Sequence, residues 1–479
     1  MTSKLPRVLG PWMAAAVVVG TVIGSGVFKK AKNVAIDCPE FGLALSVWVL
    51  GGLLALFGAL TIAEVAVRIP KAGGNYAFLR DSYGRWAGFL WGWVDFGIIR
   101  TSSIGVLAVM VVESLNDLLM QTVDVSFERW LRVIATLFTI AILTAVNIRG
   151  TRIGGGLQLV LTLLKVGSLL AIIALPIVIL VFVSQPVNLP TTANMTPFWP
   201  SDWSQIDWVK YGSAAVAVQW AYHGWLNITP VAEEVTDPQR NIPRALIGGV
   251  LLLIALYVGA NVAYYTVISR TEMMELGTTP VSTAFCIRLL GNVGGAIASL
   301  ILMTSVFGSL NGNILVAPRL LYAMSDDGLA PKRLSELHPK FRTPAAAMVV
   351  FSGWAMLLVV AAEIAKESGL ISAKKSVFDI LSDYCIVGAT AFETMGVAAI
   401  FILRRTQREL TPTLPYRCPG YPVVPIVYVL ILFAILMNMF IGETQRTEAI
   451  VGVGFVAIGA MVYAAFLRTN HVTSSSVSV

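Results

Sequence analysis

The sequence predicts an all-α polytopic membrane protein with about twelve transmembrane helices. Of its 479 residues, 56% are hydrophobic and only 13% are charged. The mean hydropathy of +0.77 lies far above that of a typical soluble domain. Apolar runs of about 20 residues recur along the chain, and each is long enough to cross roughly 30 Å of hydrocarbon. Two of these runs also contain helix-breaking residues. If the chain is built from two repeats, these two runs hold the same position in each repeat.

The transmembrane segments are predicted at twelve places along the chain. They lie near residues 12–34, 42–66, 86–115, 131–148, 156–184, 210–234, 243–268, 294–324, 344–362, 377–403, 422–441 and 447–467. The connections between them are too short to hold a soluble domain of ordinary size. We therefore expect a single membrane unit.

The first predicted helix break lies in "GTVIGSGVF", residues 20–28, where three glycines interrupt an apolar run. Glycine costs about 1 kcal/mol relative to alanine in a helix interior. In a membrane, unwound backbone is tolerated only where it is buried in protein or lines a watery cavity. A packing face of small residues is the alternative explanation for Gly20, Gly24 and Gly26.

A second break is predicted in "QWAYHGWLNITPVAEEV", residues 219–235, where Gly224 lies mid-span and Pro230 removes a donor. The first and sixth spans hold equivalent positions in a transporter built from two inverted five-helix repeats. The predicted organisation is a cytoplasmic N-terminus (1–11), a first repeat (12–184), a second repeat (210–403), two additional helices (422–467) and a disordered cytoplasmic tail (468–479). Broken helices 1 and 6 would face each other in this 5+5 fold.

The basic residues predict the orientation of the chain. With the N-terminus inside, 20 Lys and Arg residues fall on the cytoplasmic side and 12 on the other. This bias predicts cytoplasmic N- and C-termini, and we expect the protein in the plasma (cell inner) membrane. It also accounts for the basic balance of the chain, so no nucleic-acid partner is expected.

Motifs for catalysis and for metal binding are absent from the sequence. There is no nucleophile elbow, HExxH pair or Walker loop. The four cysteines (Cys38, Cys286, Cys385 and Cys418) are scattered and lack metal-ligand spacing. We expect neither an enzyme nor a metal site nor a cofactor.

Ionisable residues inside predicted spans are expensive and functional by default. Lys165 lies about ten residues inside a fifth span that is otherwise free of charge. Glu393 lies near the middle of the tenth span, where a carboxyl without a partner could carry a proton. Asp95 and Arg100 in the third span are spaced so that one helical face nearly pairs them, and we interpret that pair as structural.

Several motifs in order resemble those of the amino acid–polyamine–organocation superfamily, most closely its L-type amino acid transporters, the light chains of heteromeric exchangers. The motifs are "GTVIGSGVF" (20–28), "GALTIAEVAVRIPKAGGNYAFLRDSYG" (58–84), "IIRTSS" (98–103), "LLTLLKVGSLLA", "AYHGW" with "EEVTDPQRNIPRA", and "FGSLNGN" with "APRLLYAMSDDGLAP". The resemblance covers residues from about 10 to about 440. It is far more specific for the family than for the substrate.

The resemblance implies how an amino acid would bind. Its carboxylate would meet the backbone amides of Gly24, Ser25 and Gly26 at the first break. Its ammonium would meet carbonyls at Val22, Trp220 and His223, beside Gly224. Trp220 occupies the place where the family carries an aromatic gate, usually phenylalanine.

The resemblance also gives Lys165 a role. In sodium-coupled relatives of this fold a sodium ion lies between the first, fifth and eighth helices, and the L-type family has a lysine there instead. The ammonium would bond carbonyls of the broken first helix and hydroxyls of the eighth, for which Ser305 and Ser309 are candidates. These relations imply sodium-independent transport of neutral L-amino acids, by exchange with alternating access.

Departures from the family leave alternatives open. His223 replaces a glycine that the family often has, and it could shrink the cavity, add a donor, titrate near neutral pH or be purely structural. Leu226 and Asn227 differ from the Asn-Tyr pair of large-neutral-amino-acid members, so pocket shape and substrate choice stay open. The connection 113–130 lacks the cysteine that links light chains to a heavy chain, so no disulfide-linked heavy chain is expected. A proton-coupled symporter using Lys165 or Glu393, and a non-transporting amino-acid sensor, remain alternative functions.

Overall fold

The computed structural model describes residues 5–182, 189–277, 279–369, 377–441 and 446–467. This part of the chain folds as nineteen α-helices joined by turns. They are α1 (Pro11–Val22), α2 (Gly26–Lys29), α3 (Ala31–Asp37), α4 (Phe41–Arg68), α5 (Asn75–Tyr83), α6 (Arg85–Val94), α7 (Arg100–Val123), α8 (Arg129–Ile148), α9 (Thr151–Phe182), α10 (Trp208–Tyr222), α11 (Pro238–Tyr265), α12 (Arg270–Glu275), α13 (Val281–Leu290), α14 (Asn292–Val316), α15 (Pro318–Asp326), α16 (Ala345–Glu367), α17 (Val377–Thr406), α18 (Val423–Ile441) and α19 (Arg446–Val462).

Nine helical segments within the described ranges are long and apolar enough to cross a membrane. They are Pro11–Lys29, Phe41–Arg68, Arg85–Val123, Arg129–Ile148, Thr151–Phe182, Pro238–Tyr265, Asn292–Asp326, Ala345–Glu367 and Val423–Ile441. The all-α polytopic membrane architecture is thereby confirmed. The three other predicted spans fall on α10, α17 and α19, so the count of twelve and the 5+5 repeat stay predictions. The predicted tail, 468–479, lies outside the described residues.

Helix α9 shows how a membrane helix separates its two faces. Its buried residues recur every three or four positions and include the polar side chains of Gln158, Thr162 and Lys165. Most of its exposed residues beyond the first turn, such as Leu163 and Leu164, are aliphatic. Because the exposed face meets lipid, the polar stripe must face protein.

The first helix breaks at the predicted glycines. Helix α1 ends at Val22, and α2 begins at Gly26. In a regular helix the Gly24 amide would bond the Gly20 carbonyl, but here it bonds the Val22 carbonyl at 2.7 Å. The carbonyl of Gly20 therefore needs another donor.

The second break follows α10. His223 takes an extended conformation and Gly224 has a φ of 106°, a region that favours glycine. A 3₁₀ turn, Trp225–Ile228, continues the chain. Sequence and structure therefore place this interruption at the same residues.

The two breaks are packed against each other. A Cβ at Gly26 would overlap the Cα of Ala221, and one at Gly20 would overlap the Thr162 hydroxyl. Helix α1 packs against α9, α11 and α14. The alternative explanation of the glycines therefore also holds, because Gly20 and Gly26 permit close packing on either side of the break at Gly24.

Backbone hydrogen bonds also join the segment before α1 to the segment that follows the second break. The amides of Val8 and Leu9, just before α1, both donate to the Glu234 carbonyl at 2.9 Å. The Glu234 carboxylate receives the Arg319 guanidinium at 2.8 Å, and both side chains are fully buried. The start of α1 is therefore fixed to the segment that follows the second break.

We expect Gly26→Ala to lower the melting temperature of the purified protein in detergent. The added methyl would press on the backbone of Ala221, and such overpacking costs about 1–3 kcal/mol. Gly167→Ala is the matched control, because a Cβ at Gly167 meets no atom within 4 Å. Equal melting temperatures for the two variants would show that the breaks are not in tight contact.

Candidate functional site

A small cavity lies between the two helix breaks. All seven residues predicted to bind the substrate line it: Val22, Gly24, Ser25, Gly26, Trp220, His223 and Gly224. About 20 Å³ of free volume remains, which is the space of one water molecule. An amino acid therefore needs the walls to move outward before it fits.

Five further residues line this cavity: Thr21, Ser103, Leu107, Asn227 and Asn313. Among them the sequence pointed only to Asn227, as a departure from the family that affects the pocket. Ser103 and Leu107 lie on α7, three and seven residues after Arg100, on one face of the helix. Among the described residues that line the cavity, none is Asp, Glu, Lys or Arg. Apart from His223, the cavity is therefore lined by neutral groups.

Hydrogen bonds connect the two breaks around the cavity. The Tyr257 hydroxyl lies 3.0 Å from the Val22 carbonyl and 3.1 Å from that of Ala221. The Thr21 hydroxyl lies 3.1 Å from the Gly224 carbonyl. These hydroxyls therefore donate to backbone carbonyls that lose their regular helical partners at the breaks. The Val22 carbonyl also accepts the Gly24 amide at 2.7 Å, so both of its lone pairs already have a donor.

Trp220 covers the cavity from the end of α10. Its indole N–H donates to the Ser25 hydroxyl at 3.3 Å, and the residue is 8% exposed. The ring therefore links α10 directly to the first break.

The ammonium of Lys165 lies against the first break. It donates to the carbonyls of Gly20 at 2.6 Å and Ile23 at 2.8 Å, and to the Ser309 hydroxyl at 2.8 Å. An ammonium has three donors, and here each has an acceptor. Lys165 thus joins α9, the broken helix and α14.

The two predicted serines surround the same carbonyls. The Ser305 hydroxyl lies 3.1 Å from the Ile23 carbonyl, and that of Ser309 lies 2.8 Å from it. Both serines and Lys165 are at most 1% exposed. The geometry is that of a cation held by backbone carbonyls and hydroxyls. Within the described part of the chain, no group of three or more His, Cys, Asp or Glu residues could hold a metal ion.

Glu393 has a partner that its sequence position did not reveal. Its carboxylate lies 3.3 Å from Nδ1 of His223, so the picture of an isolated buried carboxyl was wrong. His223 lines the substrate cavity and also a second one, where Glu393, Asp95 and Arg100 form part of the wall. The imidazole therefore separates the substrate cavity from a buried ionisable cluster.

Asp95 and Arg100 pair through a turn that the sequence did not predict. Residues Asp95–Ile99 form a single π turn, and the Arg100 amide bonds the Asp95 carbonyl. A π turn places residues five apart on one face. The Arg100 Nε lies 3.6 Å from the Asp95 carboxylate, and its Nη1 also donates to Asn227. The pair was predicted as structural, and it also lines the second cavity, behind His223.

Comparison with known proteins agrees with this architecture. The family model described as amino acid permease matches residues 9–467. The chain is 33% identical to the serine/threonine exchanger SteT of Bacillus subtilis over 456 residues, which cover 95% of this chain and 96% of that protein.

Mammalian relatives match nearly as much of the chain. Identity is 27% to the b(0,+)-type amino acid transporter 1 of Mus musculus, over 97% of this chain and 89% of that protein. It is 29% to the large neutral amino acids transporter small subunit 2 of Mus musculus, over 96% and 81%. These relatives are transporters, not enzymes. The chain belongs to the amino acid permease family of the amino acid–polyamine–organocation superfamily and is related to the L-type transporters.

Proposed function

We propose that this protein exchanges neutral L-amino acids across the plasma membrane without sodium, by alternating access. The family and the named relatives support amino acid transport. The observation that carries the sodium-independent mechanism is the Lys165 ammonium, held by the carbonyls of Gly20 and Ile23. A fixed cation at this point does the structural work of a bound ion, so no ion has to be recruited.

The substrate zwitterion would be recognised mainly by backbone. Its carboxylate would accept hydrogen bonds from the amides of Ser25 and Gly26, and from that of Gly24 once the Gly24 amide leaves the Val22 carbonyl. Its ammonium would donate to carbonyls at Trp220 and His223, and to that of Val22 in place of the Gly24 amide. The lack of Asp, Glu, Lys and Arg among the described cavity residues supports a neutral side chain, because a buried charge needs a partner.

Closure over the substrate would involve Trp220. Its bond to Ser25 supports a gate that seals the cavity when α10 approaches the first break. We further propose cytoplasmic N- and C-termini, on the distribution of basic residues. We also propose transport without a disulfide-linked heavy chain, since the connection 113–130 holds no cysteine.

A second candidate function is proton-coupled symport, favoured by the contact between His223 and Glu393. The groups that face this pair are Asp95 and Arg100 in the second cavity wall and the buried Tyr428 of α18. An imidazole and a carboxylate at this distance can share one proton. That proton would lie beside the substrate cavity.

Sodium independence predicts that counterflow of labelled alanine in proteoliposomes proceeds equally in sodium and in choline medium, at constant ionic strength. The Lys165 ammonium already occupies the position that a sodium ion would take, so we expect no sodium requirement. The control is a liposome without protein, which reports leakage. An exchange rate that rises steeply with sodium contradicts the proposal.

Exchange and symport make different predictions for an imposed proton gradient. Under exchange, acidifying the outside of liposomes preloaded with alanine leaves the counterflow rate unchanged, because no net proton moves with the substrate. Under symport, acid outside accelerates uptake into empty liposomes, and Glu393→Gln abolishes that acceleration. Glu363→Gln serves as the control, since Glu363 pairs with Arg129 away from both cavities. Acceleration that Glu393→Gln removes, but Glu363→Gln does not, would replace exchange with symport.

A further inference from the structure

Arg100 fixes the orientation of the Asn227 side chain. The Arg100 Nη1 donates to Oδ1 of Asn227 and, at 3.4 Å, to Oδ1 of Asn313. A guanidinium has donors only, so each carboxamide must turn its oxygen toward it. The amide nitrogen of Asn227 must then point the other way.

That direction leads into the substrate cavity. Nδ2 of Asn227 lies 3.3 Å from the place that a Cβ at Gly224 would occupy, on the cavity wall. Within the described part of the chain, this nitrogen has no hydrogen-bond acceptor. Asn313 differs, because its Nδ2 donates to the Ser309 carbonyl at 2.9 Å. Asn227 therefore offers N–H donors at the cavity.

Burial keeps this arrangement in place. Arg100 is 7% exposed and Asn227 is 2% exposed. The carboxylate of Asp95, 3.6 Å from Arg100, compensates the buried guanidinium charge. The guanidinium therefore stays behind the wall of the substrate cavity. The group exposed to the cavity is the neutral amide of Asn227.

We propose that Asn227 selects amino acids whose short side chain carries a hydrogen-bond acceptor, a hydroxyl or carbonyl oxygen, and that Arg100 is the positioning residue that aims its amide. This inference rests on the proposed transport of neutral amino acids and narrows its substrate class. Because Nδ2 of Asn227 lies beside Gly224, at the break where the head group would bind, an acceptor on a short side chain can reach it. A purely aliphatic side chain leaves this donor unpaired. An unpaired buried donor disfavours that substrate.

The test compares threonine with valine, which have nearly the same shape but differ in the hydroxyl. Counterflow efficiency is measured for both with the purified full-length protein in proteoliposomes. We expect the parent to favour threonine by about threefold to tenfold, which corresponds to one neutral hydrogen bond. Asn227→Leu should bring the ratio close to one. Arg100→Lys, which keeps a donor for Oδ1, should retain a larger part of the preference than Arg100→Met.

Asn261→Leu is the matched control, because Asn261 is equally buried but donates to the Tyr257 carbonyl outside the cavity lining. Its threonine-to-valine ratio should equal that of the parent. A structural defect lowers both rates together, whereas lost selection moves only their ratio.

A second variant covers the case in which Asn227→Leu does not fold. Asn227→Asp keeps the size and the bond to Arg100 but replaces the donor with oxygen. It should therefore disfavour O-methylserine, whose ether oxygen only accepts, relative to the similarly shaped norvaline.

Four results would overturn either the proposed function or this inference. A parent that transports no amino acid overturns the proposed function. A parent that transports alanine, but threonine and valine equally well, overturns only this inference. So does a threonine preference that survives Asn227→Leu, or an O-methylserine preference that survives Asn227→Asp.

Discussion

The buried ammonium of Lys165 stabilises a helix that is interrupted within the membrane. Unwinding at Gly24 removes the regular partner of the Gly20 carbonyl, and lipid offers no replacement. Lys165 supplies a donor to this carbonyl and to that of Ile23, while Ser305 and Ser309 add hydroxyls. The break can therefore exist without water or a metal ion, and the backbone amides of Gly24, Ser25 and Gly26 stay beside the cavity.

The site joins parts of the molecule that must move relative to each other in alternating access. Lys165 connects α9 and α14 to the first break, and Trp220 and Tyr257 connect that break to the second. A substrate that binds at both breaks changes the contacts on which these connections depend. Because conformational states of transporters differ by only a few kcal/mol, such changes are large enough to shift their populations.

The sequence predicted those parts of the site in which a single residue is energetically unfavourable at its own position in the membrane. A glycine inside an apolar run, or a lysine in the middle of a span, is unfavourable unless something compensates it, so Gly24, Gly224 and Lys165 could be found without coordinates. The contacts of His223 with Glu393 and of Arg100 with Asn227 join residues that are distant in sequence, and no local pattern predicts them. The π turn at Asp95–Ile99 likewise depends on tertiary packing. The boundaries of the two repeats remain predictions.

Equilibrium binding and exchange rate, measured on one purified Lys165→Ala sample, test the central claim most directly. Removing the ammonium takes one donor from each of two buried carbonyls. The Ile23 carbonyl keeps the hydroxyls of Ser305 and Ser309, so the loss falls mainly on the Gly20 carbonyl, at about 1–3 kcal/mol. We therefore expect exchange to fall by about tenfold or more, while the Kd for the amino acid changes less, because in the proposed binding mode the zwitterion would not contact Lys165. Lys165→Arg should restore little, since a planar guanidinium does not fit this compact site. Exchange by Lys165→Ala at the parental rate would contradict the account.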